Sequence, residues 1–380
     1  MKILIVGAGI SGLTLGCFLK KHTDFEVDII DKAADWSHLG FTIGIWDLGR
    51  QILSRLDLDS DFDRLGRQIH SLFITDRDNK HLVRLYHFDE FYKKYESAYT
   101  HIGRKDLHDI LLNNSNCKVR MGLSPEKITQ QNNSVEVIFS DGTKDNYDLV
   151  VGADGLHSKV RELIFPDDKV EYTGNRVWFA WIPRKFVANQ TVTEIIGKNH
   201  IVNLFDDPSN ACAVFTAPEI PKTFDEPKTR IERLKDHFKS FGAPIPEILS
   251  TLKAEDLLPS DIGFVNSNNW VKNRVVLIGD AAHAMEPFAG IGASMGMEDA
   301  YVLMDELCQL HSPSIINKVL DRYMERRLPR VELARQQTRL RYWWLTSNIP
   351  GVAPIRKIFS KMIPIGHFTK GYKKLLDTEP

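Results

Sequence analysis

The chain has 380 residues, of which 43% are hydrophobic and 26% charged, and its formal net charge is −1. This length predicts two domains or one large one, and the composition is that of ordinary globular proteins. The near-neutral charge argues against a partner that is recognised through charge alone, such as nucleic acid or an acidic lipid surface.

The cysteine spacing and the distribution of apolar residues indicate whether the chain binds a metal and in which cellular compartment it is found. The cysteines are widely spaced and form no CxxC pair, which argues against both a zinc site and a disulfide framework and fits a reducing compartment. The chain opens directly on strand and turn residues, "MKILIVGAG", without the features of a secretory leader. No run of 18 apolar residues is present, so we expect no membrane span. We therefore expect no metal site and a cytoplasmic location.

Residues 1–31 are typical of a βαβ unit. An apolar run at residues 3–6 predicts a parallel strand, a helix follows Gly12, and a second strand ends at Asp31. In the loop "GAGISG", Gly7 permits the turn, Gly9 lets a pyrophosphate approach the backbone, and Gly12 lets the helix pack on the strand. The helix N-terminus offers N–H donors to phosphate, and Asp31 can accept hydrogen bonds from a ribose. The pattern predicts a bound dinucleotide and leaves NAD and FAD open.

The middle of the chain predicts mostly strands. Residues 101–112 are typical of a loop entering a helix, and residues 134–151 predict a hairpin with an Asp-Gly turn. Runs such as "VWFAWI", "TVTEII", "HIVNLF" and "ACAVFT" between residues 171 and 217 predict an antiparallel sheet. A helix carrying Leu234 and Phe238 on one face follows, then a buried strand at 275–279 and a long amphipathic helix through Leu303 and Leu307.

Two further motifs favour FAD over NAD. They are "DLVVGADGLHSKVR" (148–161) and "RVVLIGDAAHAMEPFAGIGASMGMEDA" (274–300). Together with the glycine loop and "GRKDL" (103–107), they resemble the FAD-dependent aromatic hydroxylases, which are single-component flavoprotein monooxygenases and include tetracycline-inactivating members. FAD is a long molecule, and a protein that binds it needs a second contact near the flavin half. An enzyme that binds only NAD has no such requirement.

The resemblance implies an α/β fold (α+β overall). It places a Rossmann-like FAD-binding domain in residues 1–70, 101–170 and 260–330, an inserted antiparallel-sheet substrate domain in 71–100 and 171–259, and C-terminal helices in 331–380.

The resemblance also implies roles for single residues. Asp280 matches the acid that holds the FAD ribityl chain, Pro287 the proline beside the isoalloxazine ring, and Arg104 the arginine near the FAD phosphate and ribose. The implied cofactor-binding residues are Gly7, Gly9, Ser11, Gly12, Asp31, Lys32, Arg104, Asp154, Gly279, Asp280, Pro287, Gly290, Gly292 and Ala293. The chain departs from the family pattern in having Asp31 for Glu, Ile291 for a polar residue and Ser294 for Asn.

The implied activity is that of an FAD-dependent monooxygenase. Transiently bound NADPH or NADH reduces FAD, O2 adds to form a flavin C4a-hydroperoxide, and an aromatic or polycyclic small molecule is hydroxylated. We expect Trp178, Trp181 and Phe215 to line the substrate pocket, with a contribution from the aromatic-rich segment 85–99. The sequence identifies no catalytic acid or base for the substrate.

Several alternatives remain open on sequence alone. An FAD-dependent reductase or dehydrogenase, or a non-catalytic FAD-fold binding protein, would carry the same loops. A halogenase is suggested by Trp178 and Trp181 before Ile-Pro, although the tryptophan spacing is off by one. "GASMG" matches the hydrolase nucleophile elbow around Ser294, but its nearest strand ends too early. His283 could act as an acid or base, but such a histidine more often packs at a turn.

The segment 339–376 carries basic residues without acidic ones, interleaved with apolar residues. Such a segment can lie on a membrane surface. Packing of a C-terminal helix against the rest of the chain is the favoured interpretation.

Overall fold

The computed structural model describes the chain except for residues 37–39, 81, 89–92, 95–98, 209, 313–314 and 347–371. In chain order the strands are β1 (Lys2–Val6), β2 (Glu26–Asp31), β3 (Thr42–Trp46), β4 (Arg67–Gln68), β5 (Ser71–Asp76), β6 (Leu82–His87), β7 (Tyr99–Gly103), β8 (Val119–Met121), β9 (Pro125–Gln130), β10 (Val135–Phe139), β11 (Lys144–Tyr147), β12 (Leu149–Gly152), β13 (Val170–Ile182), β14 (Thr191–Ile196), β15 (Ile201–Asp206), β16 (Ala211–Pro218), β17 (Leu258–Val265), β18 (Val271–Lys272) and β19 (Val275–Leu277).

The helices, in the same order, are α1 (Ile10–His22), α2 (Asp47–Ser54), α3 (Asp59–Leu65), α4 (Arg104–Asn114), α5 (Lys159–Ile164), α6 (Pro227–Phe238), α7 (Ile245–Thr251), α8 (Asp280–His283), α9 (Gly292–Cys308) and α10 (Ile316–Thr346). Short 3₁₀ turns lie at Arg184–Phe186, Ala254–Asp256 and Pro287–Ala289. Residues 372–376 form a further helical turn.

A six-stranded sheet organises the nucleotide-binding part. Its order is β18-β19-β12-β1-β2-β8, and all neighbours are parallel except the edge strand β18. Apart from Lys2 at the start of β1, the central strands are short, buried apolar runs, as a sheet covered on both faces requires. The carboxyl ends of β1, β12 and β19 lead into the three motifs, so the topology brings the motifs to one edge.

A seven-stranded sheet forms the second layer, in the order β17-β13-β16-β15-β14-β5-β6. Its neighbours are antiparallel except for the parallel pair β14 and β5. One face is covered by α6 and α7, and the side chains between them form a separate apolar core around Phe215 and Phe238. The other face is turned toward the nucleotide-binding part. Two three-stranded sheets, β11-β10-β9 and β3-β7-β4, complete the fold.

The α/β fold with an antiparallel second sheet is confirmed, as is the hairpin at residues 134–151. Some element boundaries differ from the predictions. Residues 99–103 form β7 rather than a loop because they pair with β3 and β4. Strand β17 belongs to the second sheet although it reaches past residue 260, and α10 runs across the predicted boundary at 331. The division into domains itself stays a prediction.

No helix in the described part of the chain is both long and apolar enough to cross a bilayer.

Candidate active site

The glycine loop and the second motif meet in space. Gly7 has φ +107°, and a Cβ added there would lie 2.4 Å from the carbonyl oxygen of Ala153. A Cβ at Gly12 would lie 2.0 Å from the carbonyl oxygen of Gly7. Both distances are far below van der Waals contact, so only glycine fits at either position. These glycines close the turn between β1 and α1 against the end of β12.

The third motif joins the same junction through Ser11 and Arg161. A Cβ at Gly279, which has φ +59°, would lie 2.4 Å from the Ser11 hydroxyl oxygen. The buried Arg161 guanidinium donates from Nη1 to the carbonyl oxygen of Ala281 at 2.8 Å and from Nη2 to that of Leu156 at 2.5 Å. Three separated segments of sequence are therefore locked together by backbone contacts and by one arginine.

Asp299, near the end of the third motif, holds the turn at Gly279 near its beginning. Its Oδ2 accepts from the backbone N–H of Gly279 at 2.7 Å and lies 2.5 Å from His283 Nε2. Its Oδ1 accepts from Arg327 Nε at 2.7 Å. Burial alone would raise the pKa of the Asp299 carboxyl, but His283 and Arg327 beside it hold that pKa well below its usual range. A charged, fully buried carboxylate thus fixes the turn that presents Asp280.

A cavity of about 520 Å³ opens where the two large sheets face each other. One side, which we call the cofactor wall, is formed mainly by backbone turns and helix starts and consists of Gly9, Ile10, Ser11, Arg104, Ala153, Gly155, Asp280, Pro287, Gly290, Gly292 and Ala293. The opposite side, the substrate wall, is formed by side chains on the second sheet and consists of Leu72, Val177, Phe179, Val192, Glu194, Asn203, Phe205, Val214, Thr216 and Leu258.

The cofactor wall has the features that a flavin dinucleotide requires. A Cβ at Gly9 would meet no atom within 4 Å, so the backbone there faces open space, unlike that at Gly7 and Gly12. Helices α1 and α9 both begin at this wall, and no described side chain caps either N-terminus. Uncapped helix starts offer N–H donors and positive potential to phosphate or to negative charge on a ring.

Asp280 and Arg104 complete the polar chemistry of this wall. The Asp280 side chain is exposed toward the cavity, and none of the hydrogen bonds among the described residues involves its carboxylate. It is therefore available to accept from hydroxyl groups such as those of a ribityl chain. Arg104 is exposed at the start of α4 and lines the cavity as a cation. These residues and Gly9 fit FAD.

Six of the predicted cofactor residues do not line the cavity: Gly7, Gly12, Asp31, Lys32, Asp154 and Gly279. Asp31 accepts from the backbone N–H groups of Ala8 and Ala33, both at 2.8 Å, beside the glycine loop. Asp154 accepts from the Ser158 hydroxyl at 2.5 Å and from the backbone of α5. Direct contact of Asp31, Lys32 or Asp154 with FAD stays a prediction.

The prediction that Trp178 and Phe215 line the substrate pocket is wrong. Both are buried on the other face of the second sheet, where they pack against α6 and α7. Successive residues of a strand point to opposite faces, and Trp178 is paired with Phe215 across β13 and β16. The residues that reach the cavity are Val177 and Phe179.

Trp181 shares the cavity-facing side of β13 but lies behind Phe41, with ring centroids 5.4 Å apart. From the segment 85–99, Phe88 and Tyr99 line the cavity, while residues 89–92 and 95–98 lie outside the described part.

Sequence reasoning missed His101 and an ion pair. His101 lines the cavity from β7, and its Nδ1 lies 2.9 Å from the carbonyl oxygen of Asp206. Arg341 Nη2 donates to both carboxylate oxygens of Glu194, at 3.1 and 3.0 Å. No alternation of polar and apolar residues marks the strand that carries His101, since Thr100 and His101 are adjacent polar residues. No local pattern connects Glu194 with a residue 147 positions away.

The alternative roles for Ser294 and His283 find no geometric support. Ser294 is fully buried in α9, and its hydroxyl accepts from the backbone N–H of Trp46 at 3.2 Å. His283 is buried against Asp299, as expected for a histidine that packs at a turn.

Part of the basic C-terminal segment can be placed. Leu340 and Arg341 of α10 line the cavity, and the Tyr372 ring stacks on Trp46 with centroids 4.3 Å apart. Residues 347–371, the larger part of that segment, lie outside the described residues, so membrane contact there stays untested.

Comparison with known proteins agrees with this geometry. Residues 1–338 match a family model described as an FAD binding domain. The 2-heptyl-3-hydroxy-4(1H)-quinolone synthase of Pseudomonas aeruginosa is 28% identical, over 93% of this chain and 94% of that protein.

Solved structures show the same fold. HpxO of Klebsiella pneumoniae, determined with FAD and uric acid, superposes with a TM-score of 0.88 at 21% identity, covering 99% of this chain and 97% of that one. Tetracycline destructase Tet(51) superposes with a TM-score of 0.73 at 25% identity, covering 96% and 98%.

These similarities confirm the predicted enzyme class, an FAD-dependent monooxygenase, and do not favour the reductase, halogenase or non-catalytic alternatives. The matched region extends from the first residue through most of α10 and includes all three motifs and the whole cofactor wall. The chain belongs to the family of flavoproteins that carry this FAD binding domain.

Proposed function

We propose that the protein hydroxylates a mainly apolar aromatic or polycyclic small molecule, with O2 as the oxygen source and NADPH or NADH as a transiently bound reductant. The observation that carries this proposal is one cavity with two unlike walls. Backbone donors and a free carboxylate on the cofactor wall suit a dinucleotide. Apolar and aromatic side chains on the substrate wall suit a flat organic ring.

Each wall has its own task in this proposal. Bound FAD supplies the redox and oxygen chemistry, since side chains alone do not activate O2. Residues 9–11 and the starts of α1 and α9 hold its phosphates and the negative charge of its ring. Phe41 and Phe179, whose ring centroids are 5.5 Å apart, form an apolar surface that excludes water and orients the substrate. The role of Asp280 is to accept from the hydroxyl groups of the cofactor.

The substrate itself is proposed only as a class. The relatives' names mention a quinolone, an aminohydroxybenzoate and, for a solved complex, uric acid. All are aromatic or heteroaromatic rings with polar substituents. A cytoplasmic location stays a prediction, which cell fractionation with an antibody against the chain would test.

The test begins with the purified protein. We expect yellow protein with FAD released on denaturation, and O2 uptake coupled to NADPH or NADH oxidation when aromatic compounds are added. Asp280→Ala should lose most of the flavin. Asp24→Ala, which removes an exposed acid that does not line the cavity, is the matched control.

Three outcomes would count against the proposal. A colourless protein that cannot be loaded with FAD rejects the cofactor. NAD(P)H oxidation without O2 consumption would indicate a reductase. Full flavin content in Asp280→Ala contradicts the assignment of the cofactor wall.

A further inference from the structure

Asn203 is a polar side chain of the substrate wall that points into the cavity. In β15 the side chains of Val202 and Leu204 belong to the apolar core under α6 and α7. Successive residues of a strand point to opposite faces, so Asn203 and Phe205 face the other way, where both line the cavity. Asn203 is partly exposed there. The alternation of the strand therefore directs the Asn203 carboxamide toward a bound molecule.

The Asn203 carboxamide is also accessible to that molecule. No hydrogen bond among the described residues involves it, and neither of its polar atoms is among the buried side-chain atoms that lack a partner. By contrast, Nε2 of His101 is one of those buried atoms and is closed to a ligand. A carboxamide offers a carbonyl acceptor and two N–H donors. A molecule in the cavity can therefore reach an acceptor and a donor side by side.

The neighbours of Asn203 on the substrate wall do not compete for this role. Asn203 pairs in register with Glu194 of β14 and Val214 of β16, and both line the cavity. Both carboxylate oxygens of Glu194 already accept from Arg341, at 3.1 and 3.0 Å. Thr216, the remaining polar side chain of this wall, is 2% exposed. Asn203 is thus an uncharged hydrogen-bonding group on a mainly apolar surface.

The charges at the cavity favour an uncharged ligand. Among the lining residues that the structure describes, the cationic side chains are Arg104, on the cofactor wall, and Arg341, which is bonded to Glu194. His101 is neutral at pH 7, because burial lowers its pKa to about 4. The surface around Asn203 therefore offers hydrogen bonds without an unbalanced positive charge that would attract a carboxylate.

The carboxamide sets a requirement for the edge of the ligand that covers it. An aromatic ring that excludes water without pairing with Asn203 leaves a donor and an acceptor unsatisfied, which costs free energy. A ring N–H beside a ring carbonyl satisfies both, because the N–H donates to the Asn203 carbonyl while the Asn203 amide donates to the ring carbonyl. Two parallel hydrogen bonds also stop the ring from turning in its plane, and so fix which edge faces the cofactor wall.

We propose that Asn203 is a specificity-determining residue of the substrate wall, and that it selects uncharged heteroaromatic rings with a lactam edge, in which a ring N–H lies beside a ring carbonyl. This inference rests on the proposed function and specifies its substrate class. Rings of the same size without that edge bind the wall through apolar contacts alone, and more weakly.

The test uses flavin-loaded protein without reductant, so that binding is measured apart from turnover. Isothermal titration calorimetry compares three probes with the same bicyclic ring: 2-quinolinone, 1-methyl-2-quinolinone and 2-aminoquinoline. We expect 2-quinolinone to bind about tenfold more tightly than 1-methyl-2-quinolinone, since the methyl group removes the N–H that donates to Asn203.

Two variants separate the hydrogen bonds from the shape of the side chain. Asn203→Leu keeps the size of the side chain but removes the donor and the acceptor, so the preference for 2-quinolinone over its N-methyl derivative should fall to about one. Asn203→Asp leaves acceptors only. This variant should prefer 2-aminoquinoline over 2-quinolinone by about tenfold, since protonated 2-aminoquinoline presents two N–H donors to the carboxylate. A merely structural role of Asn203 would not change the preference in this direction.

Asn133→Leu is the matched control, because Asn133 is exposed between β9 and β10 and does not line the cavity. It should keep the tenfold preference for 2-quinolinone, and flavin content should be unchanged in all three variants.

Four results would overturn the inference: equal binding of 2-quinolinone and its N-methyl derivative by the unmodified protein, a preference that survives in Asn203→Leu, no change of preference in Asn203→Asp, or no binding of any probe by flavin-loaded protein. If Asn203→Leu does not fold, the comparison of probes on the unmodified protein and on Asn203→Asp decides. Failure to bind FAD at all would instead reject the proposed function.

Discussion

The two walls of the cavity are constructed differently, although they line the same space. The cofactor wall consists of turns and helix starts whose geometry depends on glycines and on buried charges behind them. The substrate wall consists of side chains that project from strands of one sheet. Substitutions behind the cofactor wall should therefore affect folding and flavin binding together. Substitutions on the substrate wall should alter ligand preference while the fold persists.

The largest effect is expected at Asp299. Asp299→Ala leaves Arg327 buried beside Glu298 alone and removes the acceptor of the Gly279 N–H. Breaking a buried ion pair from one side typically costs about 3–5 kcal/mol. Urea denaturation should show a loss of that size, and flavin content should fall.

Asp305→Ala is the matched control because Asp305 pairs with Arg326 nearer the surface. It should cost about 0–1 kcal/mol. Equal losses in the two variants would contradict the supporting role of Asp299.

The glycine loop allows a sharper test with two changes of the same kind. Gly12→Ala places a methyl group 2.0 Å from the Gly7 carbonyl oxygen, so it should cost about 2–3 kcal/mol of stability and lower the yield of folded protein. Gly9→Ala adds the same methyl group toward open space at φ −77° and should leave the free energy of unfolding nearly unchanged while weakening FAD binding. Denaturation curves of the two apoproteins and FAD titrations measure the two effects separately. If Gly9→Ala bound FAD normally, phosphate would not lie at that position.

The pH dependence of the free energy of unfolding should reveal the protonation of His101. Its pKa is lower in the folded chain, about 4, than the usual 6.5, so the unfolded chain binds more protons between these values. Stability is thus complete above pH 6.5 and falls as the pH decreases toward 4. Between pH 7.5 and pH 5 the unmodified protein should lose about 2 kcal/mol more than His101→Phe. Parallel stability curves for the two proteins would show that His101 is not buried as a neutral ring.

The smallest effect is expected from a pair of phenylalanines on opposite faces of the second sheet. Phe179→Leu changes the cavity surface and should weaken 2-quinolinone binding about threefold, at little cost in stability. Phe215→Leu lies in the core under α6 and should lower the free energy of unfolding by about 1–1.5 kcal/mol without changing probe affinity. Calorimetric binding and denaturation on the same samples would distinguish them. A binding defect in Phe215→Leu alone would reverse the assignment of the faces.

The cofactor wall could be predicted from the sequence because its constraints are local. Gly7 and Gly12 lie so close to backbone atoms that no side chain fits at either position. The turn therefore requires glycines at a fixed spacing, which can be recognised in the sequence. The phase of β13 could not be predicted, since "VWFAWI" is apolar on both faces and gives no alternation to follow. The sequence therefore predicts the wrong face of the sheet for Trp178.

The neighbours of the missed polar residues are distant in sequence. His101 depends on Asp206, 105 positions later, for its tautomer. The pairing of Glu194 with Arg341 exists only because a strand and a helix meet in the folded chain. These side chains line the cavity, outside the three motifs that the sequence makes recognisable.

Helix α10 has a mechanical consequence for both walls. It has 31 residues, is about 46 Å long and contains Pro329; the part before this proline supplies Arg327 beneath the Gly279 turn, and the part after it supplies Leu340 and Arg341 to the cavity. Because Pro329 removes one helical hydrogen bond between these two places, a tilt at one end is absorbed partly by bending at the proline and passed on partly to the other end. The position of the Gly279 turn and the shape of the cavity beside Leu340 should therefore be coupled through this helix, and the coupling should be weaker than through a helix without a proline.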